Sequence, residues 1–127
     1  MTDNSSSTHS RAILDKDQAL EQAGGSESLA RELFNMLLDD LPVLQQQLQQ
    51  AIAEGQTEAM WDPAHKLYGS TAYCGVPALR EAARTMEECI KQQHEGELTA
   101  CFARLSAEIE SLLEQGPQLA EGPWTDE

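Results

Sequence analysis

His65 is the residue of this chain best placed for chemistry, because of what surrounds it on a helix. An imidazole has an ordinary pKa of about 6.5, so it keeps an unprotonated nitrogen at neutral pH. In the stretch AHKLYGSTAYCG, Ala64 to Gly75, a glycine follows the histidine four residues later. At roughly 100° per residue, Gly69 lies about 40° from His65 and Ala72 about 20° to the other side. The ring therefore stands beside two residues with almost no side chain, on the edge of the apolar stripe Ala64, Leu67 and Thr71. It is half supported by the helix and half open to a visitor. A glycine inside a helix costs roughly 1 kcal/mol relative to alanine. The empty place is either a means of close helix packing or a way in for a partner.

Other constellations are weaker. His9 lies in a polar arm, and His94 falls in a last helical turn, where a histidine complements the helix dipole. The three cysteines, Cys74, Cys89 and Cys101, lack CxxC spacing. They argue against a zinc module or disulfide scaffold and fit reduced thiols of a cytosolic protein. A di-iron bundle needs Glu-x-x-His on two helices plus two further glutamates. The nearest match, Asp62-Pro-Ala-His65, occurs once, so no metal site is expected. Neither a Gly-rich nucleotide loop nor GxxxxGK[ST] is present, so the chain is not expected to be a kinase.

Composition limits the partners. Lys plus Arg number 8 against 22 Asp plus Glu, a formal net charge of −14. Such a chain repels phosphate backbones and anionic lipid, which disfavours nucleic acid and membrane surfaces. MTDNSSSTHS has no apolar signal region, and no apolar run approaches ~20 residues. A cytoplasmic protein is expected, and Met1 with its polar arm favours a free-standing one over an excised domain.

The elements that must position His65 are helical. Leu, Ala, Glu and Gln are abundant, and Val occurs only at Val43 and Val76, a bias toward helix packed on helix. Residues 1–11 read as a disordered arm and 116–127, with Gly116-Pro117 and Gly122-Pro123, as a flexible tail, its Trp124 either frayed or docked back on the body. Between them a short helix from about Asp15 to Ala23 ends at Gly24-Gly25. Ser26 caps a second helix that runs to about Glu54, with Leu33, Leu37, Leu41, Leu44, Leu48 and Ala51 on one stripe. Pro42 should bend it. A third spans about Thr57 to Tyr73; Pro63 implies a kink or a restart capped by Asp62. A fourth runs from Val76 to about His94, and a fifth, after Gly96, from Glu97 to about Gln115. Short connections make neighbours antiparallel. The expected fold is all-α: an up-down-up-down four-helix bundle over 12–115 with a short N-terminal helix.

The string A-H-K-L-Y-G-S-T-A-Y-C-G-V-P-A-L-R resembles the signature of histidine-containing phosphotransfer (HPt) domains, roughly H-x-L-K-G-S/A with a glycine ten residues past the histidine. His65, Leu67, Gly69, Ser70, Gly75 and Leu79 fall on matching places. The upstream run from Ile13 to Phe34 resembles the family's start, and the similarity extends to about Glu114. The Tyr-Cys-Gly-Val-Pro version is most similar to HPt domains that end hybrid sensor kinases of the GacS/BarA type.

The resemblance implies a phosphorelay intermediate. His65 would take a phosphoryl group from the aspartate of a donor receiver domain and pass it to the aspartate of a response regulator. Nε2 would be the phosphorylated nitrogen. Glu87 stands where the family often has Gln or Glu, and is expected to accept Nδ1–H; the alternative is a solvated surface glutamate. Met86-Glu87 replaces the usual leucine-glutamate. Tyr68 stands where many members have a phosphate-screening lysine. Lys66 offers a long stem that could compensate, and Arg80 with Arg84 a basic rim or ordinary i,i+4 contacts. No cofactor is implied, Mg²⁺ being supplied by the receiver, and the protein is expected to be a monomer. The rival reading is a non-catalytic helical adaptor whose histidine is incidental.

Overall fold

The structure, a computed structural model, describes residues 12–92 and 95–124, so the expectations for the arm through Arg11 and for His94 fall outside it. Five α-helices follow in order: α1 Lys16–Gln22, α2 Glu27–Ala53, α3 Thr57–Ser70, α4 Pro77–Lys91 and α5 Glu95–Leu119. A 3-10 turn, Thr71–Tyr73, follows α3 directly. No strand occurs among the described residues.

Caps and glycines set the boundaries. Asp15 accepts from the Gln18 N–H to start α1, and Ser26 accepts from the Leu29 N–H to start α2. Each satisfies one of the orphan donors of a first helical turn. Pro77 opens α4, where its missing N–H costs nothing. Helix α2 continues through Pro42 and α3 through Pro63, so no restart at Asp62 occurs. Gly96, expected as a break, lies in the first turn of α5.

The four long helices form an up-down-up-down bundle. Each packs on the next, and α5 closes against α2. Phe34, Leu37 and Leu41 of α2 meet Met60 and Leu67 of α3, Leu79 and Met86 of α4, and Leu105, Ile109 and Leu112 of α5, all nearly inaccessible. The α2 face is turned slightly from the expected stripe: Ala30 and Phe34 are buried, while Leu33 and Leu44 lie at its edge.

The short helix α1 is held on the loop between the 3-10 turn and α4. Gly75 has φ +63°, and a Cβ there would stand 2.5 Å from the Asp15 carbonyl oxygen and 2.7 Å from the Ala19 Cβ. That absent side chain lets Asp15 N donate to the Gly75 carbonyl at 2.7 Å.

The C-terminal boundary differs from expectation. Instead of a tail from Gly116, α5 runs on to Leu119 and Trp124 is 1% exposed. Trp124 meets Phe34 edge-on at 5.9 Å, with the cations of Lys16 and Arg31 each 5.5 Å from its ring. Its indole N–H donates to the Ala120 carbonyl at 2.9 Å, and Arg31 donates to the same oxygen at 2.7 Å. An aromatic with so much surface to bury and a polar end to satisfy outweighs two Gly-Pro pairs.

Candidate functional site

Helices α3 and α4 present one polar cluster, centred on His65. The His65 side chain is 61% exposed, yet its Nδ1 lies 2.7 Å from Oε2 of Glu87, whose side chain is 11% exposed. Glu87 belongs to the buried face of α4, flanked by Met86 and Ile90. It is therefore not a solvated surface glutamate. A carboxylate taken out of water needs a donor, and His65 provides one. An ionised carboxylate only accepts, so a neutral imidazole paired with one carries its proton on Nδ1 and its lone pair on Nε2.

One face of the ring is also occupied. Trp61, one turn earlier on α3, stacks on His65 with ring centroids 5.1 Å apart and planes 15° from parallel. Helical side chains lean toward the N-terminus, which carries His65 over residue 61. Lys91 Nζ in turn lies 5.5 Å from the Trp61 ring centroid. Neither Trp61 nor Lys91 was singled out from the sequence. The signal available was spacing: 61 and 65 on α3, 87 and 91 on α4, each pair one turn apart.

Gly69 has a different role from Gly75. A Cβ built at Gly69 meets nothing within 4 Å, and its φ is not in the left-handed region. Neither packing nor backbone conformation calls for glycine there. Beside it, between α2 and α3, opens a groove of about 590 Å³ lined by Val43, Leu44, Gln47, Lys66, Ser70 and Tyr73. Val43 and Tyr73 are more than half exposed, at 55% and 59%. Ala72 does not share this helical face in the expected way. Helix α3 ends at Ser70, and Ala72 sits in the tighter 3-10 turn, where the α-helical projection no longer holds.

Four of the chain's eight Lys and Arg residues, Lys66, Arg80, Arg84 and Lys91, lie on α3 and α4. Arg80 is laid over Tyr68 at 4.3 Å from the ring centroid, and donates to the Tyr68 hydroxyl and to Thr71 Oγ1, each at 3.1 Å. A guanidinium thus accompanies the tyrosine that replaces the expected lysine. Arg84 donates to Glu88 at 2.9 Å and Glu81 at 3.2 Å. The hydrogen bond to Glu81, then the charges of Glu81 and Glu88, hold its pKa above the ordinary range. Lys66 lies 3.6 Å from Asp62. Of the two roles considered for Arg84, the ordinary one-turn contacts are those present.

Among the described residues, no three His, Cys, Asp or Glu side chains converge as metal ligands, and no helix is long and apolar enough to cross a membrane.

Comparison with known proteins identifies the family of the fold. Residues 32–116 match the Hpt domain family. The chain is 35% identical over 102 residues to the sensor histidine kinase GacS of Pseudomonas protegens, covering 76% of this chain and 11% of that protein. It is 38% identical over 80 residues to the signal transduction histidine-protein kinase BarA of Shigella flexneri, covering 63% and 9%. The chain thus spans about a tenth of the length of these curated relatives. It also matches the crystal structure of the HPT domain from the Hpt sensor hybrid histidine kinase of Shewanella. That match has a TM-score of 0.69 and 30% identity, over 87% of this chain and 97% of that one. With a bundle of this topology, and a histidine held at Nδ1 beside an open glycine, the chain belongs to the Hpt domain family, the histidine phosphotransfer domains of two-component phosphorelays.

Proposed function

We propose that the protein is a phosphorelay intermediate in which His65 takes a phosphoryl group from the phosphoaspartate of one receiver domain and gives it to the aspartate of a response regulator. The observation that carries this reading is the 2.7 Å contact between Nδ1 of an exposed His65 and the buried Glu87. With Nδ1 protonated, the Nε2 lone pair attacks phosphorus; the N–P bond forms as the acyl P–O bond breaks, and the carboxylate leaves with the bonding pair. No proton has to move. The ring becomes cationic, and the charge-assisted hydrogen bond to Glu87 stabilises it. In the second half-reaction the acceptor carboxylate attacks, and the N–P bond returns its pair to Nε2.

The surroundings support the same reading. Gly69 leaves room for an acidic pocket to close over Nε2, and the groove beside it offers apolar surface for the approaching receiver. In this reading Mg²⁺ and the acidic residues around it belong to the receiver, while the chain contributes a positioned nucleophile. It acts as a monomer in the cytoplasm, and Lys66, which lines the groove together with Gly69, faces the partner. The test is incubation with a receiver domain of a GacS- or BarA-type kinase carrying labelled phosphoaspartate. Acid-labile, base-stable label on the chain, absent from His65→Gln, is expected. No label on the wild type, or label persisting in the variant, leaves the adaptor reading.

A further inference from the structure

We propose that Trp61 is a positioning residue for the His65 reaction, its indole clamping the imidazole plane and itself pinned by Lys91. This rests on His65 being the phosphoryl acceptor. The two helices build a pair of rungs: Glu87 to His65 at 2.7 Å, and one turn away Lys91 to Trp61 at 5.5 Å. The stack of Trp61 on His65, 5.1 Å between centroids and 15° between planes, joins the rungs along α3.

The Glu87 contact alone does not define the ring. One hydrogen bond fixes an edge but lets the imidazole pivot about the Nδ1–Oε2 line and swing out of that contact, which frees the proton to move between Nδ1 and Nε2. A side chain 61% exposed beside a glycine has little else to stop it. The indole face removes that pivot and sets the direction of the Nε2 lone pair before a phosphoryl donor arrives. Prior ordering of this kind makes a near-attack geometry frequent. The stack also favours the product side, because a ring turned cationic by phosphorylation is attracted to the indole face. Lys91 keeps the indole in place, so its effect on His65 passes through Trp61.

The test uses potassium phosphoramidate as donor, so that receiver docking is not involved. Nε2 forms the N–P bond while the P–N bond of the N-protonated donor breaks and ammonia departs. Trp61→Leu and Trp61→Phe are compared with the full wild-type chain, with helicity and melting temperature recorded for each. Modification is read at His65 by mass spectrometry without acid, and the ring tautomer by ¹⁵N chemical shifts. Trp61→Leu is expected to react on the order of tenfold more slowly, with Nδ1 and Nε2 shifts moved toward a tautomer mixture. Trp61→Phe, which keeps a stacking face, recovers most of both. Wild-type rate and shifts in Trp61→Leu overturn the proposal while leaving phosphotransfer intact, as does equal loss in both variants with unchanged shifts. A wild type that does not react at His65 overturns the proposed function and this inference with it.

Discussion

Nδ1 of His65 and Oε2 of Glu87 lie 2.7 Å apart across α3 and α4, with the carboxylate on the buried side and the imidazole on the exposed side. In the proposed reaction this arrangement leaves Nε2 as the nucleophile and places a compensating charge where the ring becomes cationic. Hydrogen bonds to charged groups contribute about 1.5–3 kcal/mol. Glu87→Ala is therefore expected to slow single-turnover transfer roughly 10- to 100-fold, and Glu87→Gln, which can still accept from Nδ1–H, by less. An unchanged rate in Glu87→Ala would remove the carboxylate from the mechanism.

Gly69→Ala should separate stability from function. The added methyl meets nothing within 4 Å, and alanine is favoured over glycine in a helix by about 1 kcal/mol. The variant is expected to melt higher than wild type yet accept phosphoryl from a receiver more slowly. Its reaction with a small donor should be little changed. Lower stability, or full receiver activity, would contradict the assignment of Gly69 to partner approach.

Gly75→Ala should do the reverse. Its φ of +63° and the 2.5 Å approach to the Asp15 carbonyl leave no place for a Cβ. Left-handed strain and overpacking together cost roughly 2–4 kcal/mol, enough to detach α1 or unfold much of the chain. Thermal denaturation reads this directly, and a variant as stable as wild type would show that the loop has slack.

The buried thiols give a pH dependence. Burial pushes Cys74 from its ordinary 9.0 up to about 11, and burial first, then the hydrogen bond with Cys101, does the same to Cys89. Both pKa values are raised on folding, so their contribution is complete below about 9, where both states hold the proton. Between about 9 and 11 the unfolded chain releases protons that the folded chain retains, and stability falls as pH rises. Urea midpoints measured across this range are expected to drop, with a shallower drop in Cys74→Ala. A rise with pH would reverse the assignment.

Much of this architecture was legible in the sequence because single residues enforce it. Gly24-Gly25, Gly55 and Gly75 stop helices, Ser26 starts one, and the leucine stripes face a common core whatever their exact edges. The contact of His65 with Glu87 was legible through the motif, which sets the two on neighbouring helices. What was missed depends on contacts between distant segments. The tail read as flexible from its Gly-Pro pairs, with docking of Trp124 as the alternative; the seat that Phe34, Lys16 and Arg31 form decides for docking. Arg80 was read as either a rim cation or an ordinary one-turn partner, whereas stacking on Tyr68 commits it to the neighbouring helix. Trp61 went unremarked, although its place one turn before His65 was visible in the spacing; the Lys91 contact that pins it needed the packing of α4 on α3.

The most direct test of the phosphorelay reading is a pulse–chase. The wild-type chain is labelled from one phosphorylated receiver, separated from it, and mixed with a second, unphosphorylated receiver of a response regulator. Label is expected to leave His65 and appear on the second receiver as hydroxylamine-sensitive acyl phosphate, and His65→Gln to carry none at either stage. Label that stays on the chain, or that reaches the second receiver without passing through His65, would contradict it.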